Sequence, residues 1–159
     1  MIYTSSYKNS RTNKYRTVSI SKDKGRDAEY DGDYDLRLAP LESFFRIWKN
    51  NRGIIPEREN TEYYINEFYY QVLKKLNPEE IYKDLDNSIL LCYEDNTEFC
   101  HRHLVAAWFE LFLGVEIKEV NVINDKIEVV EKPEYIKEML EKVIKEDLNI
   151  TDSKLLIKK

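Results

Sequence analysis

The chain has 159 residues, the size of one ordinary domain, and its 42% hydrophobic and 35% charged residues supply both a core and a solvated surface. With only four glycines and four prolines, it does not have the composition of a loop-rich or disordered chain. A net charge of −5 argues against a general coat for phosphate backbones, so non-specific nucleic-acid binding is not expected, although a local basic pocket stays open.

The start, Met1-Ile2-Tyr3-Thr4-Ser5, lacks the charged and apolar regions of a secretory leader. The longest apolar stretch, 104–115, is interrupted by Glu110 and is too short to span a bilayer. The expected setting is the cytoplasm, with no membrane contact. In that reducing setting Cys92 and Cys100 are expected to be free thiols, close in space and without a disulfide.

Residues 2–7 and 17–21 are β-branched and aromatic and read as two strands, with a polar, basic loop at 8–16 between them. Charged residues with Gly25 and Gly32 make 22–35 a long mobile loop. Pro40 opens a helix that ends near Gly53, and Pro56 opens a second whose Tyr64, Phe68, Val72 and Leu76 recur at every fourth position. Asn77-Pro78 reads as an N-cap followed by the first residue of a short helix reaching about Leu85. The apolar run 88–93 suits a strand buried on both faces. A polar loop at 94–98 leads to a helix at 99–113, which Gly114 ends. An alternating strand at 115–120, a turn at Asn124-Asp125 and a strand at 126–130 form a hairpin, and 133–146 is a last amphipathic helix.

Strands separated by helices predict a single α/β domain, arranged in the manner of three layers, with a small parallel or mixed sheet flanked by helices. The core is expected over 1–120, with 121–159 as a hairpin and helical extension packed on the same domain. Tyr135, Ile136, Met139, Leu140 and Val143 give that last helix an apolar stripe. The helix is expected to be dispensable for the core fold, and to serve stability or a homo-oligomer contact.

Both cysteines and both histidines of the chain lie between Cys92 and His103, across a strand end, a short loop and a helix start. Ligands of open α/β sheets bind beyond the carboxyl ends of strands, and a helix N-terminus offers unpaired N–H groups to anions. Arg102 adds a forked donor for phosphate or carboxylate, and strand alternation puts Cys92 and Glu94 on one side. Glu94 and Cys100 are therefore the expected catalytic groups. Arg102, His101, Cys92 and the hydroxyls of Thr4, Ser5 and Ser19 at neighbouring strand ends are the expected ligand contacts. The bland reading of each is structural: small buried sulfurs, histidines that cap or pair locally, a solvated carboxylate, or an Arg102 paired with a carboxylate such as Glu94 inside the protein.

Cys92, Cys100, His101 and His103 are also adequate zinc ligands, but their spacing differs from familiar zinc modules, and adjacent Cys100 and His101 would point apart on a helix. The expected site is therefore without a metal, a Cys/His metal module being an alternative. Arg102 follows Cys100 by two residues and no glycines surround it, which also disfavours a phosphatase or rhodanese loop.

Leu90-Leu91-Cys92-Tyr93-Glu94 followed by Phe99-Cys100-His101-Arg102-His103-Leu104-Val105-Ala106 resembles the signature of the domain of unknown function 488 family. The opening strand, Val18 to Ser21, Leu38-Ala39-Pro40, and the stretches beginning at Trp48 and Glu62 are similar to the same family, and the resemblance spans roughly 2–120. The chain departs from the family at Lys22-Asp23-Lys24-Gly25 and Asp95-Asn96, where relatives carry prolines. The resemblance implies a shared fold and site but no activity or cofactor. The expected function is binding of a small phosphorylated ligand such as a nucleotide at the Cys92–His103 segment, with hydrolase or transferase chemistry in view. A non-catalytic interaction module, using the aromatics of 63–70, is a second alternative.

Overall fold

A computed structural model describes residues 1–157, so Lys158 and Lys159 of the expected extension lie outside the described residues. The chain forms one α/β domain around a mixed sheet of six strands: β1 (Ile2–Ser6), β2 (Thr17–Ser19), β3 (Asp33–Tyr34), β4 (Ser88–Cys92), β5 (Lys118–Ile123) and β6 (Lys126–Val130). Their spatial order is β3-β2-β4-β1-β5-β6, with only the β5–β6 pair antiparallel. Among the described residues five α-helices accompany it: α1 (Glu42–Asn51), α2 (Glu57–Gln71), α3 (Pro78–Leu85), α4 (His101–Leu113) and α5 (Glu134–Leu148).

The central place of β4 explains its apolar run from Ile89 to Cys92. It pairs with β2 on one side and β1 on the other, and all five of its residues are buried. Leu90 joins the main core with side chains from all five helices, whereas Ile89 and Leu91 face a second cluster with Tyr7 and Val120. A strand covered on both faces gains from apolar residues at successive positions, and the buried Ser88 at its start donates to the Leu85 carbonyl. The second face is covered by Tyr15, Ala28 and Tyr30 from the connections between the first strands.

That covering role corrects the expected mobile loop at 22–35, which contains a 3₁₀ turn (Arg26–Ala28) and the short strand β3. The Tyr30 hydroxyl lies within donating distance of the carbonyls of Thr17 and Asp33, at 3.0 and 2.9 Å, and Asp23 accepts from the amides of Gly25 and Asp27. Gly25 sits at φ 80°, where a Cβ would fall 2.8 Å from the Tyr7 ring. No side chain fits there.

Helix ends follow local chemistry. The Asn77 side chain accepts from the amides of Glu79 and Glu80, and Gly114 ends α4 at φ 68°. The strand expected at 115–120 lies instead at 118–123. The Ile117 amide donates to Glu110 and its carbonyl accepts from Lys132, which takes that residue out of the ladder with β1. Asn124 and Asp125 both have positive φ, the geometry of a tight hairpin turn.

Ile136, Leu140 and Ile144 of α5 are fully buried in the main core. Of the expected apolar stripe, Ile136 and Leu140 are covered within the chain, where α5 packs on α2 and α4, Met139 and Val143 are partly buried, and Tyr135 is exposed. With three side chains of α5 in the main core, removal of the helix is a test of the fold itself.

Candidate functional site

The carboxyl ends of the parallel strands β2 and β4 open on a cavity of about 550 Å³. Cys92, Tyr93 and Glu94 run into it from β4, and Ser21, Lys22 and Asp23 from just beyond β2. Cys100 and His101 enter from the start of α4. A further wall is one face of α1 continued into its C-cap: Phe45, Trp48, Lys49 and Arg52 have the spacing i, i+3, i+4, i+7 and project to one side, with Tyr64 and Phe99 beside them. Strand ends and a helix N-terminus thus converge where ligands of open sheets bind.

The floor holds the main correction. Cys92 and Cys100 are joined in a disulfide, and among the described residues no cysteine is free. The expectation of free thiols came from the inferred compartment. Their proximity comes from the short loop that folds the start of α4 back onto the end of β4. In this state Cys100 is no thiolate nucleophile.

Cys100 is the N-cap of α4, with extended φ −153° and ψ 146°, so it does not lie on the helix as expected. The extended geometry lets Cys100 and His101 reach the same place. His101 Nε2 lies 2.7 Å from the carbonyl oxygen of Ile20, and its Nδ1 lies 3.4 Å from Cys92 Sγ. A carbonyl can only accept, so Nε2 carries the proton and Nδ1 turns its lone pair toward the sulfur. Burial pulls His101 down to about 4, so the ring is neutral.

Glu94 lines the cavity half-buried, and burial raises its carboxyl above the ordinary range despite the nearby charges of Arg102 and Arg52. Trp48 meets Tyr64 at 5.2 Å and Phe99 at 6.1 Å between ring centroids, forming an aromatic wall. The Arg52 guanidinium lies 5.2 Å over the Trp48 ring, and Lys22 lies 5.0 Å over Phe45. Lys22 also pairs with Glu42, whereas Lys49 and Arg52 have no ion pair among the described residues. The acidic side of the cavity is partly engaged: Asp23 accepts from Tyr93 and from backbone amides, which lower its pKa although burial opposes them.

Four of the expected site residues do not reach the cavity. Arg102 is fully buried and bound to Glu119 by three contacts, Nη2 at 2.8 Å and Nε at 3.2 Å to each carboxylate oxygen. It is therefore a structural pair, with Glu119 rather than Glu94. Thr4 donates to the same carboxylate at 2.7 Å, since β1 and β5 place Thr4 beside Glu119. Ser5 donates to the Val120 carbonyl at 2.6 Å, and Ser19 is 2.6 Å from the Tyr7 hydroxyl. These three hydroxyls are fully buried and spent inside the protein. His103 lies 3.9 Å from Glu119, but burial first and Arg102 second hold it down to about 2, so it is neutral and forms no ion pair.

Lys49, Arg52 and Trp48 were missed as site residues. Their signal was a helical stripe mixing aromatics and cations, which amphipathic reading assigns to core and surface separately. Of the tyrosines proposed as an adhesive face, Tyr64 and Tyr69 are buried and Tyr70 is 40% exposed. Comparison with protein-family models, with curated proteins and with solved structures found no match. No helix among the described residues is long and apolar enough to cross a membrane.

Proposed function

We propose that the cavity binds a small phosphorylated ligand such as a nucleotide, in a chain related to the domain of unknown function 488 family. The observation that carries the reading is the α1 face, where Lys49 and Arg52, without an ion pair among the described residues, stand beside the aromatic rings of Phe45 and Trp48. The cations suit phosphate oxygens and the rings suit a base. The start of α4 adds the positive end of a helix dipole across the cavity. In this reading Arg102 positions the α4 start from inside the protein, and Arg52 takes the anion-binding role. Chemistry, as a hydrolase or transferase, would fall to Glu94, whose raised pKa suits a proton carrier in a half-buried wall.

Calorimetric titration with nucleoside mono- and diphosphates, sugar phosphates and inorganic phosphate tests the proposal. A ligand at 100 times its Kd should add about 2.7 kcal/mol of stability, or roughly 5–10 °C in Tm. Arg52→Ala should weaken binding by about tenfold, the factor for one lost charge-assisted contact, with an unchanged melt. Glu94→Gln should spare binding and reduce any turnover. Silence with every phosphorylated ligand would overturn the reading.

A further inference from the structure

At the floor of the same cavity, Cys92 Sγ, Cys100 Sγ and a ring nitrogen of His101 all lie within 4.8 Å of one another. We infer that once the disulfide is reduced these three side chains bind one zinc ion, with a fourth coordination position open to the cavity. The proposal is independent of the phosphorylated-ligand reading, because the site is complete in protein ligands and is tested with metal alone.

The donor set and its orientation carry the argument. Two thiolates and an imidazole are the soft-to-borderline ligands that select zinc, and three protein ligands with an open fourth position are the pattern of catalytic rather than structural sites. From Zn–S bonds of about 2.3 Å and Zn–N bonds of about 2.0 Å, tetrahedral ligands stand roughly 3.5–3.8 Å apart. His101 Nδ1 already lies 3.4 Å from Cys92 Sγ. The ring is also held as metal-bound histidines are held. Its Nε2–H donates to the Ile20 carbonyl at 2.7 Å, which fixes the tautomer and aims the Nδ1 lone pair at the sulfurs. Cys100, extended at the N-cap, stands outside the helix, so it and His101 converge despite being neighbours in sequence. Glu94 lines the cavity onto which the fourth position opens, where metal-bound water would stand.

Disulfide and metal exclude one another, because coordination needs both sulfurs as thiolates. A dithiol reductant supplies two electrons and two protons, breaking the S–S bond and leaving itself as a disulfide. Zinc then displaces the two thiol protons, which pass to solvent.

The test uses the full chain, reduced with a phosphine, freed of reductant without oxygen, and titrated with cobalt(II) and then zinc(II). The expected result is one equivalent of cobalt with the intense visible bands of a tetrahedral, thiolate-bound ion, bleached by one equivalent of zinc. Zinc binding in weak buffer should release about two protons. Cys100→Ser keeps a favoured N-cap residue and should keep its fold by circular dichroism while losing the cobalt–thiolate intensity. His101→Ala should bind zinc at least about tenfold more weakly, since even loss of a supporting contact costs that much. If His101→Ala misfolds, the proton count and the cobalt spectrum of the unaltered chain decide alone. An octahedral spectrum, absence of stoichiometric binding, or full affinity in folded Cys100→Ser would overturn the inference.

Discussion

Arg102→Met is the most informative single substitution, because it separates an anion-binding arginine from a structural one. Arg102 is fully buried and Glu119 is 1% exposed, and the guanidinium supplies three hydrogen-bond contacts to that carboxylate. Methionine keeps the length of the stem and removes the charge. Glu119 is then left with the Thr4 hydroxyl and no counter-charge. Removing one partner of a buried pair costs about 3–5 kcal/mol, chiefly the penalty of the stranded charge. At about 2–4 °C per kcal/mol for a domain of this size, Tm should fall by roughly 6–20 °C. Glu119→Gln should cost a similar amount by stranding Arg102. The double variant Arg102→Met/Glu119→Gln keeps an acceptor for Thr4 and should recover part of the loss, with a coupling energy of about 0.5–3 kcal/mol. Thermal and denaturant melts of the four proteins measure this. A melt for Arg102→Met within about 1 kcal/mol of the unaltered protein, or strict additivity in the double variant, would refute the pair as a stabilising element. Phosphate binding abolished with an unchanged melt would return Arg102 to the ligand.

Thiol titration of the unfolded, unreduced protein should count none and, after reduction, both Cys92 and Cys100; two thiols before reduction would place the free dithiol in the native protein. Deleting 133–159 removes Ile136, Leu140 and Ile144 from the core, each fully buried. At about 1.5–3 kcal/mol apiece the loss is roughly 5–9 kcal/mol, comparable with the whole stability of a domain. The shortened chain should therefore lose cooperative unfolding, and a sharp transition would show α5 to be an accessory. Asp147 links α5 to Lys74 at 2.8 Å and to the Tyr69 hydroxyl at 2.7 Å, and the Lys74 bond foremost lowers its pKa. A carboxylate whose folded pKa lies below the unfolded value stabilises the fold above that unfolded value, about 4, and the contribution is lost as pH falls through the folded one. Asp147→Asn should thus lower stability near neutrality and flatten its decline below about pH 4; an unchanged acid profile would remove this link.

Much of the architecture was legible in the residues because local physics decides it. The apolar run of β4, the Asn77-Pro78 start of α3, the Gly114 stop of α4 and the Asn124-Asp125 turn each carry their reason within a few residues. The crowding of cysteines and histidines between Cys92 and His103 also located one side of the cavity. What the sequence left open was pairing at a distance. Whether Arg102 meets solvent, Glu94 or Glu119 depends on which strand lies beside β1, and that partner comes 17 residues later in the chain. The hydroxyls of Thr4, Ser5 and Ser19 look available in sequence and are consumed by neighbours that only the sheet order supplies. Lys49 and Arg52 reach the site because α1 is laid across the ends of β2 and β4, more than 30 residues before the Cys92 segment. Local propensity and periodicity set the elements, while burial and charge compensation, which are properties of the assembled layers, set which side chains remain free to act.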